Sequence, residues 1–546
     1  MTRERTESRS DTDWWAWSDF RIGAVIGVGF AVLYVSTAAR HFLGGDPGEF
    51  AVVAGSGGFA HPPGYPLYSM FVTAAASLPI STPAHEAAMA TGLLGGAALS
   101  VLYLACRRWG ASPFGALFAT VLFGVAPEIW FLHTVPEVFA LNHLIVSAVL
   151  WLAAPESPVR GARRMAGLGA AAAVGIAHHH MIIFMAPVGL YGVYLAVRES
   201  DLARWKVFAI GVGLLAMGVV PYGYLVWVTR HVPDAYHWGE VETIRDVIDT
   251  LLRRDFGTFE LTSGGKRVGA LDQMVRLGTE SAADLLYVSV ALVAVGVAVP
   301  YVDGRREDQI ASRFAYGTVV AAWIASGPLF VSMIGAGTAK SLPYLEDHTG
   351  PTAEQYLDDL LAPLPREAVL IGGGDLRYFG MEYAHRVWER RRDVTYVDIR
   401  LLGFDWYRRR VETKLDTSTG ATSDTTRLDV MIGNLQANDY SVFMTHFVHS
   451  DVGKYWTLYP TGTTYRVLTA DESAPRLRSV YRRNRELFES FQIQRRPNVP
   501  ETSWNRAVLS QYGQVWQQMA RELEQAGMSR RAERARDVAE RFAPWL

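Results

Sequence analysis

Hydrophobic and polar positions divide the chain into two regimes. Residues 22 to about 335 carry repeated apolar stretches of bilayer length, whereas residues 340–546 are polar, charge-rich and broken by turn signals. The apolar runs predict spans at 22–39, 85–106, 112–131, 135–153, 165–180, 181–197, 207–229, 283–301 and 314–335. That makes about nine transmembrane helices, each close to the length a bilayer demands. The stretch 66–80 is apolar but short and bounded by Pro66 and Pro79, so it reads as an interfacial or re-entrant segment. In the polar regime, short runs at 368–371, 394–397 and 441–444 alternate with helical patterns at 376–391 and 404–413, the order of an α/β domain. Residues 501–546 read as two amphipathic helices, Trp504 to Ala526 and Ser529 to Phe542, similar to one tetratricopeptide unit. Such a unit must pack on a neighbour to bury its apolar face. The expected organisation is a cytoplasmic tail at 1–21, a transmembrane domain at 22–335, an α/β domain at 341–475 and a helical segment at 476–546.

Composition refines this picture. The apolar fraction of 50% and mean hydropathy of +0.09 average over two unlike populations. A net charge of −2 gives no basic domain to track a phosphate backbone, so nucleic acid is excluded as a partner. The single cysteine, Cys106, rules out an intramolecular disulfide or a cysteine metal cluster. Met1 to Asp19 mix Arg3, Arg5 and Arg9 with acids and hold no apolar core, so the first helix is expected to serve as the insertion signal. Arg107 and Arg108, Arg160 with Arg163 and Arg164, Arg198 with Arg204 and Lys206, and Arg305 with Arg306 and Arg313 occupy alternate loops, which are therefore cytoplasmic. The chain reads as a multi-pass protein of the cell membrane whose C-terminal domain is extracytoplasmic. Arg40, Arg253 and Arg254 go against the rule, the last two in a long loop that translocates regardless of charge.

With this topology the unusual polar residues fall on the outer face. The first outer loop reads Asp46-Pro47-Gly48-Glu49-Phe50, then His61-Pro62-Pro63-Gly64-Tyr65-Pro66. The fourth span begins with Glu137 and Asn142, the next outer turn carries His178, His179 and His180, and the fourth outer loop opens with His237-Trp238-Gly239-Glu240. Ionisable groups near a bilayer are costly unless they pair or line a wet cavity, which makes the cluster a functional-site hypothesis. Each feature also has a structural explanation. Asp46-Pro47-Gly48-Glu49 has the pattern of a helix start, with Asp46 as N-cap and Glu49 reaching back as a capping box. The three consecutive histidines lie about 100° apart on a helix, so they cannot share a metal without unwinding. The prolines after His61 make a stiff turn whatever the function, and Glu137 also suits a first-turn acid.

These motifs resemble GT-C glycosyltransferases, in particular the transmembrane protein O-mannosyltransferase family of plexin-type acceptors and its prokaryotic relatives. The resemblance rests on Asp46-Pro-Gly-Glu49-Phe with His61-Pro-Pro-Gly-Tyr-Pro, on Glu137-Val-Phe-Ala-Leu-Asn142, and on Gly175-Ile-Ala-His-His179-His180. It continues through Trp238-Gly239 with Arg254-Asp-Phe256-Gly257, then Gly374-Asp375, Tyr383, Arg392-Asp393-Val394 and Trp406-Tyr407. Pro47, His178, Phe139 and Phe256 depart from that pattern. The resemblance implies a mainly α, GT-C-like polytopic helical bundle followed by an extracytoplasmic α/β domain and a terminal helical hairpin. It further implies transfer of a sugar, a hexose such as mannose, from a polyprenyl-phosphate donor to a protein or glycan acceptor at the membrane.

A lipid-phosphate sugar carries its own leaving group, so the enzyme must supply a base for the acceptor and positive charge for the phosphate. By resemblance the base lies in the first outer loop, as Asp46 with Glu49 as its substitute or positioning partner. Arg253 and Arg254 are expected at the phosphate. His61, Tyr65, Glu137, Asn142, His179, His180 and Trp238 complete the expected substrate contacts, with Phe256 a further candidate for stacking. No metal or other cofactor is required by this scheme, although Asp46, Glu49 and Glu137 could share a hard divalent cation. The competing class is a transporter or flippase of lipid-linked saccharides, which would show repeated halves and broken helices at mid-membrane.

Overall fold

The computed structural model describes residues 7–256, 335, 338–420, 428–445, 452–453, 455–493, 499 and 503–546. The spans read at 283–301 and 314–335 lie outside these residues, residue 335 apart. The chain is mainly helical. Among the described residues four helices are long and apolar enough to cross a membrane: Ser18–Ser36, Pro83–Arg108, His180–Glu199 and Arg204–His231. This is fewer than the seven spans the apolar pattern predicts there, and the difference has local causes. The stretch 112–131 divides into helices Pro113–Gly124 and Pro127–Leu132, because Pro127 cannot continue the ladder of the preceding helix and instead starts a new one. The stretch 165–180 forms Gly161–Ile176 and unwinds before the histidines, and 135–153 forms the shorter Phe139–Ala153. The segment after Pro66 is a ten-residue helix, Pro66–Ala75.

Contacts group the chain into two compact units that do not follow linear order. One takes Met1–Ala38, Ala88–Pro221 and Phe256–Glu346, the other Ala39–Ala87, Tyr222–Asp255 and Asp347–Leu546. In the first unit Ile26, Phe30, Tyr34, Leu99, Tyr103 and Trp130 form a buried cluster. Its polar edges are satisfied: the Tyr34 hydroxyl donates to the Gly124 carbonyl at 2.8 Å and the Trp130 indole to Thr37 Oγ1 at 2.9 Å. Two helices approach closely where a Cβ added at Gly96 would lie 2.6 Å from the Gly27 carbonyl oxygen, the small-residue contact that packs helices in lipid. Arg164, one of the arginines from which a cytoplasmic loop is expected, is fully buried. It donates to the carbonyls of Val159 and Ala154 and pairs with Glu199 at 3.2 Å.

The second unit is built on two sheets. A short parallel pair joins β1 (Gly58–Phe59) to β2 (Tyr236–His237). A five-stranded sheet contains β3 (Val369–Gly372), β4 (Thr395–Asp398), β5 (Val442–Thr445), β6 (Leu458–Thr461) and β7 (Thr464–Val467) in the order β4-β3-β5-β7-β6. Strands β3, β4 and β5 are parallel and every residue in them is buried, as befits parallel strands covered on both faces. Gly374, at φ 117°, makes the turn from β3 into helix Asp375–Arg386, and that helix packs on helix Asp46–Ser56. The terminal helices Trp504–Gln525 and Ser529–Phe542 pair with each other. They meet helix Leu477–Ser490 through Tyr512, Trp516 and Phe488. The buried Asp359 carboxylate anchors this corner by accepting from the Tyr512 hydroxyl and the Gln492 and Ile493 amides at 2.8–3.1 Å.

The β1–β2 pair tolerates no side chain at Gly58, where an added Cβ would fall 1.7 Å from the Tyr236 carbonyl oxygen at a φ of 99°. Gly58→Ala should therefore cost more than the ~1–3 kcal/mol typical of overpacking, because backbone must move. Thermal unfolding of the detergent-solubilised protein, followed by dye reaction at its one thiol, checks this; an unchanged midpoint would contradict the pairing.

Candidate functional site

The loop that carries Asp46 folds into helix Asp46–Ser56, but not through the capping box its pattern allows. Gly45, at φ 71°, precedes the helix and no side chain caps its start. The Asp-Pro-Gly-Glu run is needed there for another reason: a Cβ at Gly48 would sit 2.2 Å from the Leu43 carbonyl oxygen, so only glycine lets the chain turn tightly into the helix. Glu49 then points into the unit and is fully buried, while Asp46, one turn earlier, is exposed.

A buried carboxylate has to be matched by donors, and Glu49 has three. Its Oε1 accepts from the His61 amide at 2.9 Å and from the Tyr236 hydroxyl at 3.0 Å, and its Oε2 accepts from His61 Nδ1 at 2.5 Å. On the other side of the imidazole, Nε2 lies 3.3 Å from the Tyr65 hydroxyl. Tyr236, Glu49, His61 and Tyr65 thus form one hydrogen-bonded chain. Burial alone would pull His61 down, but the Glu49 carboxylate and its hydrogen bond outweigh that and hold it at about 9, so His61 is a cation at neutral pH. Arg253, held at φ 52°, lies close enough to act on His61 by charge.

Asp46, Glu49 and His61 offer ligand atoms that all lie within 4.8 Å of one another. Two carboxylates and an imidazole make a reasonable divalent-cation set. It becomes available only if His61 first gives up the proton it donates to Glu49, so proton and cation compete for the same atoms.

The other predicted residues fall in two groups. In the second unit, Trp238 is 8% exposed and sits among Tyr378, Phe379, Phe404 and Trp406 at centroid distances of 5.9–6.4 Å. Its ring also meets His61 edge-on at 6.0 Å. Arg254 is exposed and bound to Asp249 at 2.6 Å. In the first unit, Glu137 and Asn142 are buried at the start of Phe139–Ala153. There His178 Nε2 donates to the Val138 carbonyl at 2.8 Å, beside Glu137. His179 has extended backbone at φ −151° and caps the following turn by accepting from the Met181 amide at 3.1 Å, so the triplet is unwound. Its ring lies 6.2 Å from Phe139, and His180 begins the short 3-10 turn His180–Met185. Tyr236 is the site residue that motif reading missed. Its one sequence signal is its position two residues before Trp238.

Residues 46–202 match the family model described as the Protein O-mannosyl-transferase TMEM260 N-terminal domain. The resemblance read from the motifs is thereby shown, and the matched span includes Asp46, Glu49, His61, Glu137, Asn142, His179 and His180. The Mus musculus protein named Protein O-mannosyl-transferase TMEM260 is 23% identical over 455 residues, 72% of this chain and 64% of the relative. The Dictyostelium discoideum protein of the same name is 27% identical over 285 residues, 49% of this chain and 35% of that one. The chain thus spans less than two thirds of the length of either relative. Among solved structures, ArnT from Cupriavidus metallidurans bound to undecaprenyl phosphate superposes with a TM-score of 0.43 at 15% identity, covering 83% of this chain and 99% of ArnT.

The Glu49–His61 pair generates a pH dependence. A histidine whose folded pKa lies above its unfolded 6.5 contributes stability that is complete below 6.5 and lost as pH rises through about 9. The unfolding midpoint of the wild type should fall across that window, and His61→Gln should flatten the profile. Parallel profiles for the two proteins would show that the pair does not hold a proton this way.

Proposed function

We propose that the chain transfers a sugar, a hexose such as mannose, from a polyprenyl-phosphate donor to a hydroxyl of a protein or glycan acceptor at the extracytoplasmic face. The observation that carries this reading is the contrast between two carboxylates one helical turn apart. Glu49 is buried and occupied by His61 and Tyr236, whereas Asp46 is exposed. Environments that differ this much divide roles between paired carboxylates. Asp46 is the base and Glu49 positions the loop.

The acceptor oxygen attacks the anomeric carbon as its proton passes to the Asp46 carboxylate. The bond from that carbon to the phosphate oxygen breaks, and its electron pair leaves with the polyprenyl phosphate. The His61 cation and Arg253 supply positive charge near the departing phosphate, and Arg254 is held close by through Asp249. Tyr65 orients His61. Trp238 walls the site, carrying the His61 edge on its aromatic cluster. The names of the relatives, both O-mannosyl-transferases, support the reaction class. No metal is required, because the cationic side chains stabilise the leaving group. The α/β part of the second unit, on the same outer face, assists acceptor recognition.

Purified protein in nanodiscs, given a radiolabelled polyprenyl-phosphate mannose and a hydroxyl-bearing acceptor, tests the reading. Asp46→Asn should lower transfer by about 10²–10⁴, the range of a lost general base. Wild-type transfer by that variant would exclude Asp46 as the base. Chelation with EDTA should leave the wild-type rate unchanged; a loss restored by a divalent ion would instead assign the Asp46, Glu49 and His61 set to a metal.

A further inference from the structure

A second site lies in the α/β part of the second unit. A cavity of about 570 Å³ opens where helix Asp375–Arg386 and helix Asp405–Leu415 meet β4 and the segment leading into β2. That volume is typical of small-molecule pockets. The helical spacing concentrates charge there: Tyr378, Glu382 and Arg386 succeed each other at i, i+4 on one helix, and Arg410 and Lys414 do so on the other. With Arg392, four basic side chains line the cavity together with two carboxylates, Asp234 and Glu382. His385 adds no charge, since burial pulls it down to about 4.

Ion pairs answer Arg386 and Arg392, while Arg410 and Lys414 form no ion pair among the described residues. Glu382 is taken by Arg386 at 2.6 Å, and Arg386 also donates to the Ala235 carbonyl at 3.3 Å. Arg392 is committed to Glu389 and to the His385 carbonyl. By contrast Arg410 Nη1, the Tyr378 and Tyr396 hydroxyls and His385 Nε2 are buried with no hydrogen-bond partner among the described residues. Both tyrosines are more than nine-tenths buried. The Arg410 guanidinium is meanwhile held over the Trp406 ring at 5.1 Å, so its direction is preset. Native structures rarely leave buried donors unmatched side by side, and an oxyanion would satisfy Arg410 Nη1 and the Tyr378 hydroxyl together.

We propose that this cavity binds a phosphate monoester, with Arg410 and Lys414 gripping the phosphoryl oxygens and the Tyr378 hydroxyl completing the cradle. The two cations outside any ion pair, Arg410 and Lys414, match a dianion, and the volume leaves room for a hydroxylated group the size of a monosaccharide. The same chemistry is offered by a water-soluble sugar phosphate and by a lipid-borne prenyl phosphate. The site is separate in residues from the Asp46 site and needs none of its groups.

Titration calorimetry of the full chain in phosphatidylcholine nanodiscs tests this with three probes: inorganic phosphate, a hexose phosphate and a short-chain prenyl phosphate. We expect saturable binding of at least one, weakened about tenfold or more by Arg410→Gln and severalfold by Tyr378→Phe. Binding of the hexose phosphate over the lipid assigns a soluble ligand, and the reverse assigns a lipid headgroup. Lys414→Gln, at an exposed position, gives a second reading should Arg410→Gln fail to fold, and Arg409→Gln is the control expected to bind normally. Asp46→Asn should also bind normally, which keeps this result independent of the transferase reading. No saturable binding by any probe, or equal affinity in wild type, Arg410→Gln and Lys414→Gln, overturns the proposal.

Discussion

A charged carboxylate removed wholly from water has to be repaid by donors or it costs several kcal/mol, and the second unit is arranged around meeting that demand for Glu49. Its donors come from His61, twelve residues on, and from Tyr236, 187 residues on. The parallel pairing of β1 with β2 brings Tyr236 into place, and that pairing needs Gly58. Gly48 lets the chain reach the helix that carries Glu49, so two glycines and one hydrogen-bonded chain define the geometry of the segment from Asp46 to Tyr65.

The same demand explains why two acids in one short motif have different characters. Glu49 spends its acceptor capacity on internal donors and becomes part of the framework, while Asp46 keeps its carboxylate toward solvent on the same rigid turn. His61, made cationic by Glu49, adds fixed positive charge beside Asp46 and Arg253. The aromatic cluster around Trp238 supports this arrangement by packing, because its members meet one another at ring distances that leave the indole only 8% exposed.

Helix Asp375–Arg386 links the two polar regions of that unit. Tyr378 on this helix packs against Tyr236, the Glu49 donor, and also lines the basic cavity. Glu382, one turn further, is held ionised against its burial by Arg386 and Arg410. One face of this helix thus serves both regions: Tyr378 touches the Glu49 donor and, with Glu382 and Arg386 at i+4 spacing, lines the basic cavity.

Much of this was legible in the chain itself wherever the signal is local. Continuous apolar runs located β3, β4 and β5, and amphipathic periodicity located the helices that follow them and the terminal hairpin Trp504–Gln525 with Ser529–Phe542. The motifs singled out Asp46, Glu49 and His61, which fold into one cluster. Apolar length overstated the number of spanning helices, since a hydropathy window does not register the break at Pro127 or the unwinding before His179. Only the tertiary structure decided that Glu49 bonds His61 and Tyr236 rather than closing a capping box, that Arg254 is tied to Asp249, and that Arg410 faces a cavity shared with Tyr378. Periodicity and capping act within a few residues, whereas the partner of a buried charge is chosen by whichever distant segments the fold brings within 3 Å of it.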